Sequence, residues 1–359
     1  MSIFKKIIKK IFNNNTEINR LINNIELFVA RVFSVSVVTS SLYYGLNWRV
    51  FGREHRSVLY GKRKYFQEIK DHKKTQYLLR RNIHRIEKGM VMCPRRDIFA
   101  TDFIEETVEI YGSVFKASEG NIDEETELKW AHDVLKEYFN IVDEHPIINK
   151  AKSRFISIQN GNSINNSQYV PYKRNLALPS PVEYEALLKL SKRRRSVRWY
   201  LPKAVPKELI DKAISVAALS PSACNRQPYE FRIFDEPELV KKVASIPMGT
   251  AGYYDNIPVI AVIIGKLRAY FSERDRHLIY IDSSLAAMSF MYALETLGLS
   301  TCSINWPDIP DKERKIKNLL ELEPDERPIM MISLGYPDPD KLVCYSQKKP
   351  LSLLRKYNL

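Results

Sequence analysis

Two short runs between residues 194 and 229 carry side chains suited to ligand chemistry. The first, Arg194-Arg195-Ser196-Val197-Arg198, sets guanidinium groups at i and i+4 around a hydroxyl, where a helix ends and the chain turns extended. Guanidinium groups grip phosphate through paired hydrogen bonds, and a serine adds a short neutral donor. The competing reading is a basic helix end that caps its own carbonyls. The second run is Ser220-Pro221-Ser222-Ala223-Cys224-Asn225-Arg226-Gln227-Pro228-Tyr229. Pro221 stops the preceding helix, Ser222 and Ala223 let backbone approach a ligand, and Pro228 fixes an extended exit. Asn225 and Gln227 offer directional amides, which suit the alternating donors and acceptors along one edge of an isoalloxazine ring. The competing reading here is a turn whose polar residues satisfy their own backbone. Taken together, the pair points to a flavin nucleotide.

Helices and strands must hold these runs in place. Val182 to Lys192 reads as the helix entering the arginine cluster. After Pro206, suited to a first helical position, Leu209, Ile210, Ala213, Val216 and Ala217 form the stripe of the next helix. Glu230 to Phe234 alternates as a strand, and Ile257 to Ile264 is an apolar run expected of a central strand buried on both faces. A long helix is expected from Tyr280 to Leu297, closed by Gly298. Strand Ser300–Asn305, helix Asp311–Leu320 and strand Ile329–Leu334 complete a second domain over 181–359. No GxGxxG turn and no P-loop occurs, which weighs against Rossmann and nucleoside-triphosphate folds.

The preceding 158 residues read as a mainly helical region, followed by a linker over 159–180 rich in Asn, Ser and Pro. Ile3, Phe4, Ile7, Ile8, Ile11 and Phe12 share one helical face against Lys5, Lys6, Lys9 and Lys10, ended by Asn13-Asn14-Asn15. A basic amphipathic helix of this kind is a membrane-surface anchor or a helix that docks on protein. Val32 to Leu46 is apolar but short, with Arg31 and Arg49 at its flanks, and is expected as a buried or surface-lying helix rather than a span. Asp102 to Tyr111 gives a short amphipathic helix. Asp123-Glu124-Glu125 opens another, whose stripe is Leu128, Ala131, Leu135, Tyr138 and Val142. The basic run Arg80 to Gly89 lacks aromatic interleaving and zinc ligands, so a solvated helix face is expected there; a site for an anionic substrate or lipid headgroup is the other reading.

The formal net charge of +14 fits an anionic partner: a phosphorylated cofactor, a membrane surface or nucleic acid. Four scattered cysteines form no CxxC pair, which argues against zinc and disulfides; no metal is expected, and a reducing, cytoplasmic compartment is. Cys224 has no histidine nearby in sequence and is given no nucleophilic role. Cys302 reads as a small buried residue, and His84 and His132 read as structural.

The two runs resemble the hallmark pair of the nitroreductase family of FMN-dependent oxidoreductases, an Arg-x-Ser-x-Arg/Lys motif and, about twenty residues on, Pro-Ser-x-x-Asn-x-Gln-Pro-Trp. Tyr229 stands where that family usually has tryptophan. The resemblance runs from Pro181 to the C-terminus and includes Gly298-Leu299-Ser300-Thr301-Cys302-Ser303, Gly335-Tyr336-Pro337 and Lys348-Lys349. It implies an α+β fold, a nitroreductase-like mixed sheet flanked by helices after the helical N-terminal region. It also implies a homodimer, with Arg194, Ser196 and Lys349 on the FMN phosphate and ribityl chain. Arg195 and Lys348 are counted beside them. Arg198 would face the flavin N1/O2 edge, where positive charge offsets developing negative charge. Pro221, Ser222, Ala223, Asn225 and Gln227 would reach the flavin, in this family often from the partner subunit. Backbone around Ser303, Ile304 and Asn305 would lie beside flavin N5. Asn305 and Trp306 depart from the family's usual acidic residue and glycine.

The implied activity is hydride transfer from NADH or NADPH through the flavin to a nitro, quinone or other unsaturated acceptor. It needs no side-chain acid or base, and the N-terminal helix at residues 1–12 would bring the enzyme to the inner face of a membrane. Two rivals are a flavin-binding accessory protein without turnover, as in envelope polysaccharide assembly, and a nucleic-acid-binding redox sensor. The latter is disfavoured by the lack of a recognition motif.

Overall fold

The computed structural model describes residues 16–70, 76–118, 127–158 and 169–358. The amphipathic start at 1–12, Asn13 to Asn15, the acidic opening at Asp123 to Glu125 and residues 159–168 of the linker lie outside them. The chain divides into two compact units, Met1–Ser57 and Val58–Leu359. Sequence reasoning instead drew one helical region through residue 158.

In the first unit, α1 (Thr16–Phe33) and α2 (Val37–Leu46) meet at a corner. Ser36 caps α2: its hydroxyl accepts from the Thr39 N–H, and the Thr39 hydroxyl accepts from the Ser36 N–H. The apolar stretch 32–46 is therefore two helices rather than one, and α2 buries none of its residues.

In the second unit, α4 (Gln76–Met90), α5 (Ile104–Ala117), α6 (Glu127–Ile141) and α7 (Pro146–Ile158) follow α3 (Gly52–Lys70). Helices α4 to α7 share a core of their own, including Leu79, Ile83, Ile86, Val108, Leu135 and Tyr138. The expected stripe of α6 is buried there. Helix α5 runs past Tyr111 because Val114 and Phe115 continue onto the same core.

The sheet follows α8 (Tyr184–Arg193) and α9 (Lys207–Ala218), the latter capped by Pro206 just outside its first turn. Strands β1 (Tyr229–Phe234), β2 (Val259–Lys266), β3 (Ser300–Asn305) and β4 (Glu326–Gly335) lie in the order β1-β2-β4-β3. All three pairings are antiparallel. The α+β class holds, but parallel pairing enters only at an isolated bridge between Ser196 and Thr301. Strand β2 alternates between two cores: Val259, Ala261 and Ile263 face α9 and α11 (Leu278–Thr296), while Ile260, Val262 and Ile264 face α10 (Pro237–Ala244) and α12 (Pro310–Leu320). At about 1.5–3 kcal/mol for each large apolar side chain, these residues contribute on the order of 10 kcal/mol before chain entropy.

Strand β4 begins earlier than its hydrophobicity suggests. Pro328 cannot donate to a ladder, and the register slips beside it, between Ile263 and Ile264 of β2. Gly298 closes α11 at φ +80°, with the Leu299 N–H donating to the Leu294 carbonyl at 2.9 Å. Buried Asp325 takes two bonds from Arg268, at 2.6 and 2.8 Å. Glu323 receives Lys64 and the Tyr60 hydroxyl from α3, which ties that helix to the sheet.

Candidate functional site

The phosphate-type run lies along the outer edge of β3. Arg194 caps α8 by donating its N–H to the Leu190 carbonyl at 2.9 Å, after which the chain extends. Ser196 bridges Thr301, and the Val197 N–H donates to the Thr301 carbonyl at 3.0 Å. Tyr200 pins the far end: its buried hydroxyl donates to the Val197 carbonyl at 2.7 Å and lies 2.8 Å from the Ser333 hydroxyl, while its N–H reaches Asn256 Oδ1 at 2.7 Å. The backbone is thus fixed, while the cations are not neutralised. Arg194 makes no side-chain bond among the described residues. Among the described residues, Arg195 donates to the Arg194 carbonyl at 3.3 Å, and Arg198 to the Ser196 carbonyl at 3.4 Å and the sulfur of Cys344 at 3.8 Å, with its guanidinium 6.0 Å from the Tyr253 ring centre. Among the described residues no carboxylate pairs with any of the three, all half-buried.

The amide-bearing run sits at the opposite edge, leading into β1, and is tied on every side. Cys224, Asn225 and Gln227 adopt left-handed φ of +53°, +50° and +47°. Such angles cost non-glycine residues roughly 1 kcal/mol or more each, so surrounding bonds must hold them. The Ser222 hydroxyl accepts from the Gln227 N–H at 3.0 Å, and Asp282 of α11 accepts from the Ala223 N–H at 3.0 Å. Arg80 of α4 donates to the Asn225 carbonyl at 2.5 Å and to Gln227 Oε1 at 3.0 Å, and pairs with Glu127. Gln227 Nε2 donates to the Ala218 carbonyl at 2.6 Å. Both ends of that amide are therefore bound to protein. The Asn225 side-chain amide, by contrast, makes no bond among the described residues and is open to a ligand.

Asp282 is buried, and burial raises its carboxyl above the usual carboxylate range; the Ala223 N–H, the Tyr270 hydroxyl at 2.9 Å and the Arg226 charge pull the other way. Arg226, also buried, lies over the Tyr270 ring at 4.9 Å. Sequence reasoning missed Asp282 and Arg80. The first had a visible signal, an acid in the first turns of the apolar helix Leu278–Thr296, whose other acid, Glu295, lies in its last turn. The second was read as part of a solvated basic face; in fact Asn82, Ile83 and Ile86 of that run are buried, and Arg80 turns inward to the loop.

The remaining expected residues divide by exposure. Ser303 and Asn305 point outward from β3, whereas Ile304 is buried. Trp306 is buried as well and donates to Glu313 at 2.6 Å. Lys348 and Lys349 are exposed in an irregular segment and pair with no carboxylate. Cys302 is buried, as expected. His132 lies 3.0 Å from the Tyr111 hydroxyl in the helical core, and burial lowers its pKa to about 4.

Within one chain the two runs stay apart. Ser196 borders β3 at the level of Val259, whereas Tyr229 pairs with Gly265 on the other side of the sheet. With about 4.8 Å between strands and 3.3 Å per residue, these corners stand roughly 25 Å apart. No hydrogen bond joins the runs. The donors at the β3 edge fit a phosphate-bearing flavin, and Asn225 fits its ring, but a single chain does not close both around one ligand.

Comparison with known proteins finds a family model and relatives similar to the C-terminal part of this chain. Residues 191–251 and 248–336 match the family model described as "Nitroreductase family". A "Putative NADH dehydrogenase/NAD(P)H nitroreductase" of Methanothermobacter thermautotrophicus is 27% identical over 172 residues, 44% of this chain and 85% of that protein. "Iodotyrosine deiodinase 1" of Homo sapiens is 24% identical over 220 residues, 52% of this chain and 74% of that protein. Among solved structures, an FMN-dependent nitroreductase from Clostridium difficile R20291 aligns at a TM-score of 0.42 and 24% identity, covering 48% of this chain and 99% of that one.

Proposed function

We propose that this chain, whose C-terminal half is a domain of the Nitroreductase family, is a homodimeric FMN-dependent oxidoreductase that draws on NADH or NADPH. The family supports a flavin oxidoreductase in general. The acceptor class proposed is a small nitro, quinone or other unsaturated compound. The observation that carries the reading is the trio Arg194, Arg195 and Arg198, half-buried beside Ser196 with no carboxylate partner among the described residues.

These groups, with Lys348 and Lys349, would hold the phosphate and ribityl chain. Guanidinium groups supply planar forks of donors, and their burial strengthens the attraction. Arg198 would face the electron-rich edge of the ring. Asn225, with its free amide, would reach the ring from the partner subunit, presented by the backbone of Pro221, Ser222 and Ala223. Gln227 would act from behind, fixing the loop through Arg80 and the Ala218 carbonyl. The exposed face of β3 at Ser303 and Asn305 would border the reacting edge. Bound FMN would carry a hydride from the nicotinamide to the acceptor, which follows it into the same cleft. The chain's own task is positioning and charge.

A second element of the proposal is location. The basic amphipathic face of residues 1–12, outside the described residues, would hold the enzyme on the inner face of a membrane. The rival accessory protein would bind flavin there without turnover.

The test is an absorption spectrum of the purified protein, followed by NAD(P)H oxidation with menadione, a nitroaromatic and a halogenated phenol. Yellow protein that turns over with one of these supports the enzyme. Bound flavin that stays oxidised favours the accessory role, and colourless protein that refuses added FMN overturns both.

A further inference from the structure

The corner between α1 and α2 has the chemistry of a surface that enters lipid. Residues 32–48 carry no charged side chain, and Arg31 and Arg49 bracket them. The apolar side chains are turned outward: Val37 is 84% exposed, Val38 77% and Leu46 73%. A water-facing helix of this composition is disfavoured unless something covers it.

Several polar groups of the same stretch bond within it, while Ser34, Ser36 and Ser41 remain exposed. Ser36 and Thr39 exchange hydrogen bonds at 3.1 Å, and the Thr39 and Ser40 hydroxyls donate to the last carbonyl of α1, at Phe33, at 3.0 and 2.8 Å. The Asn47 amide donates to the Tyr43 carbonyl at 2.8 Å. These bonds form the cap and corner of α2, and they leave the Phe33, Ser36 and Tyr43 carbonyls satisfied at a surface that enters an apolar phase, where unpaired groups are costly. No helix among the described residues is long and apolar enough to cross a membrane, and the break at Ser34 to Ser36 turns the chain back.

The rim has the composition of a headgroup layer. Arg49 lies over the Trp48 ring at 5.7 Å, and Tyr43 and Tyr44 meet edge to face at 5.1 Å one turn earlier. Amphipathic aromatics and long basic side chains are the residues that settle at the boundary between acyl chains and water. Val35, Val37, Tyr44, Trp48 and Phe51 share with four serines and His55 the lining of an open cavity of about 770 Å³, a mixed surface suited to the boundary between headgroups and acyl chains.

We propose that this corner inserts into one leaflet of an anionic phospholipid bilayer, with Val37, Val38, Leu42 and Leu46 among the acyl chains and Arg31 and Arg49 at the phosphates. The positive rim selects lipid over a second copy of the chain. Two-fold pairing of this face would set the same cations around both halves with no carboxylate between residues 32 and 48 to meet them. The inference deepens the membrane-surface part of the function proposed above and does not depend on the flavin.

The experiment uses the full-length protein with vesicles of phosphatidylcholine alone and with 30% phosphatidylglycerol added. The double variant Val38→Glu/Leu42→Glu is expected to lose at least tenfold in partition onto the anionic vesicles while keeping its fold by circular dichroism. Lipids brominated in the acyl chain are expected to quench the emission that disappears in Trp48→Phe. Wild-type partition in the double variant, or a Trp48 untouched by brominated lipid, overturns the insertion. So does a double variant that, without lipid, falls to a smaller oligomer than the wild type. Deleting Met1 to Asn15 separates the two membrane claims. Partition and Trp48 quenching that survive the deletion support the corner and remove the terminal anchor. Partition lost, with Trp48 unquenched in the full chain, does the reverse.

Discussion

The two edges of the sheet are prepared in opposite ways. At the β3 edge the backbone from Ser196 to Leu201 is fixed while three guanidinium groups are left without counter-charge. At the β1 edge the loop is strained, and its backbone is held by Arg80, Asp282 and the loop itself, while the Asn225 amide, Arg226 Nε and the Tyr229 hydroxyl make no hydrogen bond among the described residues. One edge keeps its bonding capacity for a ligand; the other spends most of it on holding a shape. Damage to the first should therefore appear in ligand retention, and damage to the second in stability.

The largest expected effect is at Asp282. Asp282→Ala leaves the Ala223 N–H and the Tyr270 hydroxyl unpaired and removes the carboxylate near buried Arg226, for a loss of about 3 kcal/mol in urea unfolding. A loss below about 1 kcal/mol would mean the loop is held by something else. Arg80→Ala should cost about 2 kcal/mol and speed hydrogen exchange in residues 222–227, and Arg80→Lys should restore little, because the fork that spans Asn225 and Gln227 is lost. Arg194→Ala should leave unfolding within about 0.5 kcal/mol of wild type. In fluorescence titration its FMN affinity should nevertheless fall tenfold or more, matching a charge-assisted contact of about 1.5–3 kcal/mol. Unfolding that shifts as much as for Arg80→Ala would erase the distinction between the edges.

Acid should blur that distinction, which sets the conditions for measuring it. The pKa of His132 is lowered to about 4 by burial in the helical core, against about 6.5 in the unfolded chain. Between those values the unfolded chain binds the proton and the native one does not. The contribution is whole above about pH 6.5 and is lost as pH falls toward 4, amounting to about 2 kcal/mol between pH 8 and pH 5. Urea unfolding at both pH values checks it, and His132→Phe should flatten the slope.

Much of the C-terminal half was legible because its signals are local. The apolar run around Ile260 needs a two-faced cover, Gly298 sits where an L-residue would strain a helix end, and Ser300 to Asn305 is the strand that its side chains indicate. Strand order was not legible, since hydrophobic period does not encode which strands are neighbours. That order is what sends Ser196 and Tyr229 to opposite corners. Nor could the bond from Arg80 to Asn225 be read, because it joins residues 145 apart, and a basic run on a helix usually faces water. The corner at Ser34 to Ser36 was hidden for the opposite reason: its cap is local, but the composition around it reads as one apolar helix.

Gly335 carries a consequence for how this edge can vary. A methyl group placed there would meet the Pro258 ring at 2.6 Å and the Tyr200 ring at 3.0 Å. Tyr200 in turn fixes Val197, so a bulkier residue at 335 would lift the whole arginine-bearing ribbon away from β3. In a library randomised at that codon and selected on retained yellow colour, glycine should be nearly the sole survivor, although the residue touches no ligand itself.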